Sequence, residues 1–235
     1  MGGKCYLSLK NSIEKGIQSL AILIDPEKFN PERTLEFLNT IPSDTTHLFV
    51  GGSFICNGET EQVVKTFKQH TRLPVFLFPG DYSQITDQAD AILFLNLISG
   101  RNPEYLIEQQ VKSIPKIVNT GQEVISTGYI LIDGGNESSV SRITNTKPLS
   151  QNDILAIVDT ALAGWYMGAK LIYLEAGSGA KTPVKPEIIR AVKKVVDIPI
   201  VVGGGIRSDN QKHEAFSAGA DMVVMGTAFE NEFKK

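Results

Sequence analysis

Ile198-Pro199-Ile200-Val201-Val202-Gly203-Gly204-Gly205-Ile206 is a short apolar run that ends in three glycines, and Met222-Val223-Val224-Met225-Gly226-Thr227 repeats the pattern shortly afterwards. Each reads as a buried strand that presents bare backbone N–H groups at its C-terminal end. Glycine there lets the main chain approach an anion's oxygens, and a helix start adds donors and a favourable dipole. In a (β/α)8 barrel the adjacent loops after strands seven and eight are a recurring phosphate site. If these are strands seven and eight, six more must precede them.

They do. Apolar runs lie at residues 19–24, 47–50, 75–78, 91–95, 127–132 and 171–174, separated by helix-like segments at 30–39, 59–69, 103–117 and 153–167. Further helices are expected at 185–195 and 210–217. Strands alternating with helices argue for parallel βαβ units, and continuous rather than alternating apolar runs argue for strands buried on both faces. Eight runs make an α/β chain closed as a (β/α)8 TIM barrel, with an open doubly wound sheet as the structural alternative. Only residues 80–90 separate runs three and four, too few for a helix with its loops, so the barrel is expected to be modified, with its third helix reduced or missing. The polar segment 134–151 is expected to be a surface loop or lid over the mouth. Residues 228–235 leave room for two helical turns at most. No shift in composition marks a second domain, so residues 1–235 read as one.

The bulk numbers exclude several classes. A net charge of −3 implies no basic surface for nucleic acid. No stretch approaches the ~20 apolar residues that span a bilayer, so any lipid is met from the surface. The N-terminus lacks the apolar run of a signal peptide. Cys5 and Cys56 make no disulfide framework, and a reduced, cytoplasmic setting is expected. His47, His70 and His213 have no metal-ligand spacing and are expected at the surface.

Barrel active sites lie where the strands end. Asp25 closes run one, Ser53 run two and Glu175 run six, within Tyr173-Leu174-Glu175-Ala176-Gly177-Ser178-Gly179. The two glycine turns together read as a phosphate cradle, with Gly177, Ser178 and Gly179 as a third side. No Gly-Lys-Ser/Thr follows the glycines, so this is not a nucleotide P-loop. Asp25 has two readings, a cap for the segment after Pro26 or an oxygen ligand for Mg2+ with Ser53 beside it. Glu175 either accepts a proton from a substrate hydroxyl or pairs with Lys181 or Lys185. Tyr173 is a pocket wall or core filling.

Leu23-Ile24-Asp25-Pro26, Val50-Gly51-Gly52-Ser53, the block from Tyr173 to Gly179, Val202-Gly203-Gly204-Gly205-Ile206 and Gly226-Thr227 together resemble the geranylgeranylglyceryl phosphate synthase family, which includes the bacterial heptaprenylglyceryl phosphate synthases. The resemblance runs from about residue 18 to residue 230. It implies a Mg2+-dependent prenyltransferase on a barrel with a displaced third helix. Such an enzyme joins sn-glycerol 1-phosphate to a polyprenyl diphosphate, releasing diphosphate and forming an ether-lipid precursor. By motif match, Asp25 and Ser53 are the metal positions. Tyr173, Leu174, Glu175, Ala176, Gly177, Ser178, Gly179, Gly204, Gly205, Gly226 and Thr227 hold glycerol phosphate, with Glu175 as the catalytic base. Arg101-Asn102-Pro103 resembles members most like the archaeal enzymes, which implies a geranylgeranyl donor. Leu23 stands where some bacterial members carry Lys. The prenyl chain is expected in the gap left by the missing helix.

Two other readings compete. A phosphosugar isomerase of the histidine or tryptophan pathway shares the phosphate turns, and Asp25 and Asp133 mimic its acid–base pair. It would need a second phosphate turn, which Asn96-Leu97-Ile98-Ser99-Gly100 does not supply, and Glu175 would have no task. A non-catalytic phosphate-binding barrel draws support from the 153–167 helix, which is apolar nearly all round where one stripe would suffice. That helix is expected to form a homo-oligomer interface centred on Trp165 and Tyr166.

Overall fold

In the computed structural model, residues 3–52, 58–118, 120–226, 229 and 233 are described. The eight runs form β1 (Ser19–Ile24), β2 (Thr45–Val50), β3 (Val75–Leu77), β4 (Ala91–Leu97), β5 (Glu123–Leu131), β6 (Leu171–Glu175), β7 (Ile200–Gly203) and β8 (Met222–Met225). They pair in chain order as a closed barrel, each parallel to the next, with β8 returning to β1. The open sheet is thereby set aside. Alternate side chains serve two layers. Ala21, Phe49, Phe76, Leu93, Tyr129 and Tyr173 fill the barrel, while Ile22, Leu48, Val50, Ile172 and Val202 face the helices.

The helices are α1 (Lys4–Glu14), α2 (Thr34–Thr40), α3 (Glu59–His70), α4 (Gln109–Ile117), α5 (Ser139–Thr144), α6 (Ile154–Tyr166), α7 (Pro186–Lys193) and α8 (Asp209–Ser217). α1 has no counterpart among the expected elements. It places Leu9 in the interior cluster with Cys5, Tyr6 and Ile13 packed around it. The Glu123 carboxylate accepts the backbone N–H groups of Cys5 and Tyr6 at 2.6 and 3.0 Å, satisfying orphan donors at the helix start.

The third helix is reduced as expected. Between β3 and β4 there is one 3-10 turn, Tyr82–Gln84, capped by the Asp81 side chain, which accepts from Ser83 N–H at 2.6 Å. The next connection holds a π-turn, Glu104–Glu108, ahead of α4. Its wide bond runs from the Gln109 N–H to the Glu104 carbonyl, while Asn96 Nδ2 donates to the Leu106 carbonyl at 3.1 Å and Gln110 Nε2 to that of Tyr105 at 3.3 Å, so side-chain amides serve two carbonyls of the turn.

Segment 134–151 is less irregular than expected. It contains α5, capped by Ser138 Oγ and ended by Asn145 in the left-handed region at φ 49°, and its return pairs Leu149 with Ile132. His47 also departs from the surface position expected of it. It shares the inward face of β2 with Phe49, two residues on, and packs against Phe76 with ring centroids 5.1 Å apart. Burial pushes its pKa down to about 4, so it is neutral.

Candidate functional site

The strand ends meet around one cavity of about 170 Å³. Asp25, Tyr173, Glu175, Ser178, Gly204, Gly205 and Gly226 all line it, as the sequence reading required. Leu174 and Ala176 instead belong to the outer layer, and Gly177 and Gly179 shape the turn from behind. Ser53 and Thr227 lie outside the described residues.

Glu175 is the last residue of β6 and is 6% exposed. Its Oε1 accepts the Gly177 N–H at 2.7 Å. Burial raises its pKa to about 7, against the lowering effect of the Gly177 N–H and the neighbouring Tyr173 hydroxyl. The Tyr173 hydroxyl lies beside this carboxylate without the alignment of a hydrogen bond, and it has no partner among the described residues. A buried, unsatisfied hydroxyl facing a ligand cavity is a group that substrate can complete.

The turn after β7 closes on the same carboxylate. Gly204 has φ 80°, and a Cβ there would stand 2.6 Å from the Gly177 nitrogen and in collision with Glu175 Oε1. Only glycine meets both demands. Among the described residues the N–H groups of Ser178, Gly204 and Gly205 have no protein acceptor, so two adjacent turns present donors to the cavity. Arg207 stands at their edge. Its Nη2 donates to the Ala180 carbonyl at 2.8 Å, the same carbonyl that packs against Gly205. The sequence reading passed over it, although a cation two residues beyond a triple glycine was a signal.

On the opposite side, Asp25 is 8% exposed. Oδ1 accepts the Glu27 N–H at 3.2 Å, and Oδ2 pairs with Lys28 at 2.7 Å. Both alternatives for Asp25 therefore have a footing, since it caps the turn after Pro26 and also borders the cavity. Gly52 lies against it, and a Cβ there would stand 3.0 Å from the carboxylate, so a larger residue would press on Asp25. Among the described residues no three His, Cys, Asp or Glu side chains cluster as a closed metal site.

From the mouth the cavity continues into an apolar groove lined by Phe78, Tyr82, Ile85, Ile92, Phe94 and Tyr105. These residues belong to the 3-10 turn, the end of β3, β4 and the π-turn, so the groove occupies the place of the missing third helix. Val140 and Ile143 of α5 complete its rim.

A model of the PcrB family matches residues 14–235. The chain belongs to the PcrB family. The match takes in all eight strands and every cavity residue named above, and leaves nearly all of α1 outside. Its similarity to the geranylgeranylglyceryl phosphate synthase of Zunongwangia profunda is 56% identity over 216 residues, covering 92% of each chain. The enzyme of that name from Pyrococcus abyssi is 39% identical over 233 residues, covering 97% of this chain and 91% of the relative. Among solved structures, (S)-3-O-geranylgeranylglyceryl phosphate synthase from Thermoplasma acidophilum, in complex with its substrate sn-glycerol-1-phosphate, superposes with a TM-score of 0.89 at 33% identity. That alignment covers 98% of this chain and 92% of the other.

Proposed function

We propose that this protein is a prenyltransferase that joins sn-glycerol 1-phosphate to a polyprenyl diphosphate, with geranylgeranyl diphosphate as the donor. The observation that carries this is the single cavity, which places the donor-rich turns and Glu175 at one end of an apolar groove. A phosphorylated polar substrate and a long hydrocarbon fit its two arms. The names of the relatives support the same reading and give none to an isomerase or a non-catalytic barrel.

The chemistry follows from the chain's own residues. The turns at Ser178 and Gly204-Gly205, with Arg207 beside them, hold the phosphate and so fix the far end of glycerol. Glu175, its pKa raised to about 7, takes the proton of the free primary hydroxyl as that oxygen attacks the allylic carbon. The new C–O bond forms as the bond from that carbon to diphosphate breaks. The Tyr173 hydroxyl orients the nucleophile, and holding both ends aligns the reacting atoms. Asp25, a carboxylate at the cavity rim, would hold Mg2+ together with Ser53. When bound, Mg2+ neutralises charge on the departing diphosphate.

Incubation with Mg2+, labelled glycerol 1-phosphate and a ladder of prenyl diphosphates is expected to yield one predominant ether, from the geranylgeranyl donor. Absence of any ether product, with the fold intact by circular dichroism, would overturn the assignment.

The reading extends to setting and assembly. No helix among the described residues is long and apolar enough to cross a membrane, which supports surface access to the prenyl donor. Cys5 is a free thiol, in keeping with a cytoplasmic setting. Leu155 and Tyr166 on α6, and Met167 just after it, are 69, 76 and 73% exposed, whereas Trp165 packs partly against the barrel. The proposed subunit contact therefore centres on Tyr166 rather than Trp165. Tyr166→Glu is expected to lower the mass seen by light scattering; an unchanged mass removes this face from the contact.

A further inference from the structure

The groove opens where a single 3-10 turn stands in place of a full helix between β3 and β4, yet its wall must stay fixed there. One side chain does much of this. Gln84, the last residue of the 3-10 turn, is 1% exposed. Its Oε1 accepts the Gly80 N–H at 2.9 Å and the Gly52 N–H at 3.3 Å, and its Nε2 donates to the Gly52 carbonyl at 3.0 Å. A single carboxamide therefore adds a side-chain link between the ends of β2 and β3, beyond the backbone bond from the Phe78 N–H to the Val50 carbonyl at 2.9 Å.

Its two neighbourhoods are functional ones. Gly52 packs directly on the Asp25 carboxylate, and Tyr82 and Ile85, on either side of Gln84 in sequence, line the groove. Gln84 is thus one residue away from the pole where diphosphate is proposed to sit and is part of the wall along which the hydrocarbon runs.

We infer that Gln84 is a positioning residue for the prenyl donor: it sets the distance and angle between the diphosphate pole at Asp25-Gly52 and the groove wall. The inference rests on the transfer reaction proposed above. It assigns Gln84 no contact with the reacting atoms. It also confines the effect to one of the two substrates, because glycerol phosphate is held at the opposite rim by β6 and β7.

Gln84→Met keeps the length and removes the amide, and Gln84→Glu keeps an acceptor while losing the donor to Gly52. With two or more buried hydrogen bonds lost, kcat/KM for the prenyl diphosphate is expected to fall about 30-fold in Gln84→Met. Gln84→Glu should fall between that variant and wild type. KM for glycerol 1-phosphate should stay within about twofold, since no group that holds it has changed. A misaligned donor should also lose more of its allylic group to water, so the ratio of prenyl alcohol to ether should rise. In that side reaction water forms the new C–O bond, diphosphate leaves and a proton passes to solvent. A general loss of folded protein moves neither the ratio nor one substrate's KM alone. The inference is overturned if both variants match wild type, or if their kcat falls with an unchanged alcohol-to-ether ratio and unchanged KM values. Wild-type enzyme in the same assay separates the two ideas: its failure to make ether removes the proposed function, whereas its success with indifferent Gln84 variants removes only this positioning role.

Discussion

Glu175→Gln is expected to lower turnover about a thousandfold while glycerol 1-phosphate still binds, in the usual range for loss of a general base. The substitution is nearly isosteric, and the new amide oxygen can still accept the Gly177 N–H that Oε1 accepts now at 2.7 Å. The backbone turn is therefore retained and the loss falls on proton transfer. The pH profile provides a second test. With a pKa of about 7, Glu175 is ionised only above that point, so wild-type kcat should fall roughly tenfold per pH unit below it and level off above. That limb should be missing in the variant.

Stability should move the other way. The folded chain holds the Glu175 proton more tightly than the unfolded chain, whose pKa is near 4.5. This contribution is fully present below pH 4.5 and is lost as the pH rises through about 7. At pH 8 the ionised carboxylate costs the fold about 3 kcal/mol. Gln carries no such charge, so the variant should melt no lower than wild type at pH 8. A lower melting temperature together with lost glycerol phosphate binding would make Glu175 a structural residue.

That tension between stability and activity explains what could be seen in the residues beforehand. The strands were legible because each is buried on both faces, and a run such as Met222–Met225 has no other way to be soluble. The empty third connection was legible from length alone. Glu175 and the glycine turns stood out because a carboxylate and triple glycine break otherwise apolar strand ends. What stayed hidden depended on distant partners. α1 is called into place by Glu123, which lies more than a hundred residues away and accepts its first N–H groups. The π-turn's Leu106 carbonyl meets the Asn96 amide only once β4 and this turn are side by side. His47 looked exposed because a polar residue at the start of an apolar run does not show that it shares the inward face of Phe49. Asp25 was found, but its ion pair with Lys28 was not, since three-residue spacing of opposite charges is common on any surface turn.

Asp25→Asn is expected to reduce product formation by at least a thousandfold, with the fold unchanged. Asn keeps the size of the side chain and an oxygen for the Glu27 N–H, so the turn after Pro26 retains its cap. It removes the negative charge that the proposed Mg2+ requires. A thousandfold loss corresponds to about 4 kcal/mol of transition-state stabilisation, within what a divalent cation supplies to a leaving diphosphate. The Lys28 ion pair is also lost, but Lys28 is 40% exposed, and pairs of that kind contribute about 1 kcal/mol or less. The melting temperature should therefore shift by only a few degrees for a domain of this size. Two measurements distinguish a lost metal anchor from a lost cap. Titration with Mn2+ in the presence of prenyl diphosphate should show weakened metal binding in the variant, and glycerol 1-phosphate affinity should be unchanged because its proposed cradle lies across the mouth at Ser178 and Gly204-Gly205. Full activity in Asp25→Asn would leave Asp25 as the cap of its own turn and move the cation site elsewhere on the rim.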